Sequence, residues 1–165
     1  MVLTPHALAG TAAAMVFRHH PVLAFCAGFI SHFLIDAIPH WHYPLQSLEK
    51  NLESPLDSRI VFDRRLIHDC ILIGIDFGIG VGISLIATYV LFPQYLLVAF
   101  LGAIGGIIPD FLQFLYYIFR DSPLLYLQRL HVWIHAKKRL DSTPVSGVAY
   151  QLAFSALCIF ILRSF

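Results

Sequence analysis

Four long apolar runs constrain the fold of this chain more than any other feature of its sequence. They cover residues 21–39, 70–92, 95–119 and 145–162. Each is close to the roughly 20 residues that a helix needs to cross a bilayer. Charged residues make up only 13% of the chain, against roughly a quarter in a soluble domain. The sequence therefore predicts an all-α integral membrane protein, a helical bundle of four to five transmembrane segments forming a single domain over residues 1–165.

A shorter apolar run over residues 7–17 comes before these segments. A secretory signal peptide would begin with positive charge, and residues 1–6 contain neither Lys nor Arg. We therefore interpret residues 3–17 as a short or half-inserted first helix. Five segments counted in this way bring the amino terminus and both long polar stretches, 42–69 and 120–144, to one side of the membrane.

The positive charges of the chain are concentrated in those two polar stretches. The opposite side of the membrane receives only Arg18 and Arg163, whereas the polar stretches carry Lys50, Arg59, Arg64, Arg65, Arg120, Arg129, Lys137, Lys138 and Arg139. The positive-inside rule therefore predicts a cytoplasmic (inner) membrane protein whose long loops face the cytoplasm. The formal net charge of +1 gives no bias toward polyanions, so we expect membrane lipid and no nucleic acid among the partners.

Glycines recur at four-residue spacing in two neighbouring segments. The third segment contains Gly74, Gly78 and Gly82, and the fourth contains Gly102 and Gly106. Such spacing lets helix backbones approach closely in lipid. The sequence predicts that these two segments form an antiparallel hairpin packed glycine to glycine, and glycines that face lipid without a partner are the alternative.

Three polar groups lie on one stripe of the second segment. His32, Asp36 and His40 are spaced four residues apart, which places them on one helix face, although Pro39 is expected to end or distort the helix before His40. Charged groups inside a membrane are costly and usually mark function. A His–Asp hydrogen bond that only locks two helices together is the structural alternative.

Other His and Asp residues reach the same end of the predicted bundle. Some open an apolar segment on the cytoplasmic side, Asp76 and Asp110 lie further into the third and fourth segments, and two lie in the amphipathic stretch 126–138. They are His6, His68, Asp69, Asp76, Asp110, His131 and His135. A set of His and carboxylate groups at one membrane face predicts a divalent metal site, for zinc first and for manganese or iron as alternatives.

The chemistry of such a site depends on which groups share the ion. His131 and His135 have the spacing that lets two imidazoles on one helical face share a metal. A bound metal can lower the pKa of a water to around 7 for hydrolysis. Proton relay or ion passage is another use of membrane His and Asp residues. We expect His19, His20 and His42, and aromatic residues such as Trp41 and Tyr43, to be interfacial residues.

Three short motifs carry a family resemblance. They are Thr4-Pro5-His6-x-x-x-Gly10, Gly28-x-x-Ser31-His32-x-x-x-Asp36 and Gly102-Ala103-x-x-Gly106-x-x-Pro109-Asp110. In order and spacing they resemble the signatures of predicted membrane-bound metal-dependent hydrolases and, more distantly, the zinc-dependent phospholipase C superfamily. The resemblance implies that His6, His32, Asp36 and Asp110 are metal ligands or their close partners. The chain departs from the family at His131-Val132-Trp133-Ile134-His135, where many members carry a different histidine element.

Together these observations predict a metal-dependent hydrolase that cleaves a phosphoester in a lipid or lipid-linked substrate at the cytoplasmic face. The expected metal ligands are His6, His32, Asp36, His40, Asp110, His131 and His135. The expected catalytic residues are Asp110, Asp69 and Asp76, with Asp69 or Asp76 taking the proton from water. The alternatives are a non-enzymatic membrane protein with a structural His/Asp cluster and a metal or ion transporter.

Overall fold

The chain folds into six α-helices within residues 2–51, 53–137 and 140–165, the parts that this computed structural model describes. The helices are α1 (Leu3–Met15), α2 (Pro21–Asp36), α3 (Arg64–Leu91), α4 (Leu96–Phe119), α5 (Ser122–Ile134) and α6 (Pro144–Leu162). A 3-10 turn, Pro93–Tyr95, leads into α4. The all-helical prediction is thus confirmed. Lys138 and Arg139, two of the charges expected in the cytoplasm, lie outside the described residues.

The outer helices have the dimensions and composition of membrane spans. Three helical stretches, Arg64–Leu91, Pro93–Phe119 and Pro144–Leu162, are long and apolar enough to cross a membrane. The apolar side chains of α3 point outward as well as inward, because Ile67 and Ile75 are more than half exposed. Apolar side chains on an exposed helix face are stable against lipid and unfavourable in water, so these helices are those of a membrane protein.

The short first helix lies at the centre of the bundle. Eleven of the 13 residues of α1 are buried, and the helix packs against α2, α3, α4 and α6. A helix that is apolar on all sides is stable either in lipid or where neighbouring helices surround it, and the burial of α1 places it in the second class. The sequence predicted a short helix over 3–17 but not its central position.

The glycine face of α4 receives α1 and α2 rather than α3. A Cβ atom on Gly10 or on Gly28 would overlap the carbonyl oxygen of Gly102. By contrast, a Cβ atom on Gly74, Gly78 or Gly82 would meet no atom within 4 Å. The predicted glycine-to-glycine packing of α3 against α4 is therefore wrong. Instead, α1 and α2 pack against the α4 glycines that the sequence pattern had paired with α3.

The two long polar stretches meet at one end of the bundle. The first contains a small antiparallel pair of strands, β1 (Leu48–Glu49) and β2 (Arg59–Ile60). Backbone hydrogen bonds join the end of α2 and the residues after it to the end of α5. The amide of Ala136 donates to the Asp36 carbonyl (2.8 Å) and the amide of Leu140 donates to the His40 carbonyl (3.1 Å).

A candidate metal centre at the polar end of the bundle

Asp36 is the centre of a buried group of imidazoles. It is the last residue of α2 and only 1% exposed. His6 Nε2 lies 3.3 Å from its Oδ1, and His32 Nε2 lies 3.2 Å from its Oδ2. His131 Nε2 lies 2.8 Å from the same Oδ2. One carboxylate therefore joins α1, α2 and α5.

Asp110 brings α4 into the same group. Its Oδ1 lies 3.7 Å from His32 Nε2 and 3.8 Å from His131 Nε2. Its side chain is 24% exposed, whereas the Asp36 side chain is 2% exposed. His32, Asp36, Asp110 and His131 offer one ligand atom each within 4.8 Å of one another. We call these four residues the first group.

Hydrogen bonding fixes the orientation of His32 in this group. Its Nδ1–H donates to the Gly106 carbonyl (2.8 Å). In the neutral ring Nε2 then carries a lone pair and faces carboxylate oxygens. His32 Nε2 and Asp36 Oδ2, which lie 3.2 Å apart, repel each other unless a proton or a cation lies between them.

Several buried polar atoms of the site have no well-aligned hydrogen-bond partner among the described residues. They include both ring nitrogens of His6, His32 Nε2, Asp36 Oδ1 and His131 Nδ1. Buried polar groups are nearly always paired, and exceptions require an explanation such as an ion. The His6 ring also stacks on His32, with centroids 4.1 Å apart. This chemistry fits a divalent cation held by imidazole and carboxylate.

A second group consists of imidazoles alone. His40, His42 and His135 also offer ligand atoms within 4.8 Å of one another. The α2 helix ends at Asp36, as the position of Pro39 predicted, so His40 lies beyond the helix, although its Nε2 still lies 3.7 Å from Asp36 Oδ1. Burial lowers the pKa of His40 to about 3 and also lowers that of His135, so both rings are neutral near pH 7.

His131 and His135 do not share one group, contrary to the interpretation of their spacing. The α5 helix ends at Ile134, and His135 has an extended ψ of 132°. His135 therefore turns away from the helix face of His131 and toward His42, with Nε2 atoms 3.2 Å apart. The four-residue spacing brings two imidazoles to one metal only where the helix continues through both.

Asp69 and Asp76 are buried but belong to neither group. Asp76 accepts hydrogen bonds from the amides of Leu3 and Thr4 and from the Thr4 hydroxyl (2.7 Å). Asp69 accepts from the amide and the hydroxyl of Ser47, both at 2.7 Å. These contacts hold the start of α1 and the first polar stretch in place. The catalytic roles expected for the two carboxylates stay predictions.

His68, also expected near the site, lies 3.3 Å from Asp69 through its Nδ1. Its side chain is 56% exposed. The structure therefore leaves it at the surface beside Asp69 and outside both groups of possible ligands.

A cavity of about 1150 Å³ adjoins both groups. It lies between α3 and α4 and is closed at the polar end by α5 and the first polar stretch. Asp110, His131 and His135 are part of its wall. Most of the remaining wall is apolar and includes Ile73, Phe77, Ile104, Ile107, Phe111 and Phe114. The possible metal ligands thus face a space large enough for a substrate.

Three residues of this region were not expected from the sequence. His42 joins the second group, Asp141 contacts His42, and Tyr43 lines the cavity. Burial raises the pKa of the Tyr43 phenol well above its usual range. His42 lies two residues from His40 in a segment without helical periodicity, so spacing gave no signal for it.

Comparison of the chain with protein-family profiles, characterised proteins and solved structures found no match.

Proposed function

We propose that this protein is a membrane-embedded metal-dependent hydrolase that cleaves a phosphoester in a lipid or lipid-linked substrate. One observation carries the proposal. Four groups suited to a metal ion, on three helices, lie together at the polar end of a largely apolar cavity. A substrate that fits both parts has a polar, ionic head and a hydrocarbon tail.

His32, Asp36, Asp110 and His131 are the residues that would hold the ion, with His6 stacked behind His32. Two imidazoles and two carboxylates suit zinc, and manganese or iron are alternatives. When bound, such an ion supplies a Lewis acid for a phosphoryl oxygen and lowers the pKa of a water.

Asp110 is the carboxylate best placed to handle a proton. It is the more exposed of the two acids in the first group and belongs to the cavity wall. A water in the cavity can reach it, whereas Asp36 is enclosed by imidazoles. Lys50 and Lys137 also line the cavity, and their positive charge suits the phosphate of an anionic head group.

The apolar part of the cavity suits a hydrocarbon chain. Ile73 and Phe77 of α3 face this space together with Ile104 and Phe111 of α4. Phe111 lines the cavity and is 55% exposed, so this part of the cavity is open. A lipid can enter sideways between α3 and α4, with its head group at the first group.

The test of this function combines activity with metal content. Purified protein should hydrolyse a phosphoester, supplied in lipid mixtures or as a chromogenic substrate, and a chelator should abolish the reaction. Asp110→Asn should lower the rate about 100-fold or more, the usual scale for losing a positioned acid or base. His20→Ala, an exposed residue outside both groups, is the control. Activity that survives both chelation and Asp110→Asn would contradict the proposal.

Metal content separates this proposal from a purely structural cluster. Asp36→Asn should lose the ion of the first group while still inserting into the membrane. If the cluster were only an ion pair, metal content would not change. Removing one partner would then cost roughly 3–5 kcal/mol of stability, because a buried charge is left unpaired. Elemental analysis and thermal unfolding in detergent measure both quantities.

A glycine in the cavity wall allows the lipid part of the proposal to be tested separately. Gly74 lines the cavity, and a Cβ atom there would meet no atom within 4 Å. Gly74→Leu should therefore fold normally, fill part of the chain-binding space and raise KM for long-chain substrates. Gly82→Leu, two turns further along α3 and equally open, is the matched control. If Gly74→Leu raised KM equally for a short soluble phosphoester, the cavity would not be the place that holds the hydrocarbon chain.

A further inference from the structure

The second group has a geometry that its three histidines alone do not explain. His40 Nε2 and His42 Nε2 lie 3.0 Å apart, and His42 Nε2 and His135 Nε2 lie 3.2 Å apart. The Nε2 atoms of His40 and His135 thus both lie close to His42 Nε2, between the segment after α2 and the end of α5. One ligand atom from each ring lies within 4.8 Å of the others.

The other nitrogen of each ring is oriented by an oxygen acceptor. The contacts are His40 Nδ1 to the Ile38 carbonyl (2.6 Å), His42 Nδ1 to the Asp141 carboxylate (3.1 Å) and His135 Nδ1 to the Ala136 carbonyl (3.2 Å). An Nδ1–H donor bound in this way sets the tautomer of a neutral imidazole and leaves the lone pair on Nε2. Metal-ligating histidines almost always have such a partner on the other nitrogen.

Three converging lone pairs repel one another unless a cation lies among them. One proton can bridge two rings but not three. Nitrogen ligands at the zinc distance of 2.0–2.1 Å in a tetrahedron are about 3.3 Å apart, close to the two measured separations. These two separations are therefore those expected of ligands around one ion, and the third ring lies within the same 4.8 Å group.

We propose that His40, His42 and His135 bind a second divalent cation, zinc or another metal that prefers imidazole nitrogen. Its three ligands all lie outside the first group, although His40 Nε2 is 3.7 Å from Asp36 Oδ1. The site does not depend on the protein being a hydrolase. Asp141 acts as a positioning residue, because it holds the His42 ring through Nδ1. The ion would fasten the segment after α2 to the segment after α5.

The experiment counts zinc bound to the full-length chain in detergent. Wild type should bind two zinc ions and His42→Ala one. Asp36→Asn should also bind one, and the double variant none. Asp141→Asn should keep both sites but weaken zinc binding at the second about 10- to 100-fold, as expected for an outer partner of a ligand. His20→Ala should match wild type.

Two results would overturn the second site. One is a His42→Ala chain that binds as much zinc, with the same affinity, as His20→Ala. The other is an Asp141→Asn chain, folded by its thermal transition, with unchanged zinc affinity. The Asp141→Asn measurement decides the question even if His42→Ala fails to fold. Absence of hydrolysis would reject the proposed function but leave this zinc count unaffected.

Discussion

At the scale of single residues, Asp76 shows how a carboxylate deep in a membrane protein can be satisfied without a cation. Its two oxygens accept hydrogen bonds from the first amides of α1 and from a threonine hydroxyl. The first amides of any helix have no partner within the helix. A carboxylate there also meets the positive end of the helix dipole. The acid and the helix start therefore stabilise each other across two elements.

Replacing Asp76 tests whether this structural role is its main one. Asp76→Ala should lower the stability of the protein by about 1–2 kcal/mol, the usual cost of losing a helix cap. Its zinc content should stay the same, because Asp76 is outside both groups. Asp57→Ala, at an exposed aspartate, is the control. Unchanged stability combined with a large loss of hydrolysis would instead favour the catalytic role that the sequence suggested.

The sequence predicted part of the site at this scale. His32 and Asp36 were recognisable because a helix brings residues four apart to one face, and Asp110 because it interrupts an apolar helix. His42 and Asp141 were not recognisable. They meet across 99 residues of chain, and both belong to segments without a regular period. Contacts made by irregular segments have no spacing rule from which they can be read.

At the scale of elements, the crossing of α1 over α4 depends on the absence of side chains at two glycines. Gly10→Ala would push a methyl group into the carbonyl of Gly102, and backbone cannot move aside as a flexible side chain does. We expect a loss of about 1–3 kcal/mol, as for other overpacked sites. Thermal unfolding in detergent measures it.

The matched Gly→Ala substitution on α3 should not lower the stability of the protein. The Cβ atom added by Gly78→Ala would meet no atom within 4 Å. The substitution also replaces glycine by alanine, which has the higher helix propensity. It should leave stability unchanged or raise it by about 0.5–1 kcal/mol. A Gly78→Ala variant as unstable as Gly10→Ala would mean that α3 packs closely at a place where the structure shows open space.

The helices themselves were predictable, but their neighbours were not. Four apolar runs became α2, α3, α4 and α6 with shifts of a few residues at most ends. The start of α3 is the exception, because Arg64–Cys70 continues the helix through polar residues. A four-glycine period identifies a face suited to close packing but not its partner, and any small residue on another helix can supply the contact. Here the partner is the short α1.

At the scale of the whole molecule, the contact between the two polar stretches constrains the membrane topology. The amide of His42 donates to Asp141 at 3.0 Å, so both stretches must be on the same side of a membrane. Reporter fusions after residue 56 and after residue 142 should therefore agree with each other. The charge asymmetry predicts that both report the cytoplasm and that a carboxyl-terminal fusion reports the opposite side. Opposite reports from the two loop fusions would rule out the arrangement of the site.

The position of Asp36 also has a consequence for how the chain is made. Its shortest contact, to His131, spans 95 residues of sequence. A ribosome adds about 5–20 residues per second, so His131 is synthesised roughly 5 to 20 s after Asp36. During that interval the carboxylate has His6 and His32 available but lacks its closest imidazole. We therefore expect a chain truncated before α5 to insert α2 less efficiently, or to be degraded faster, than the full chain.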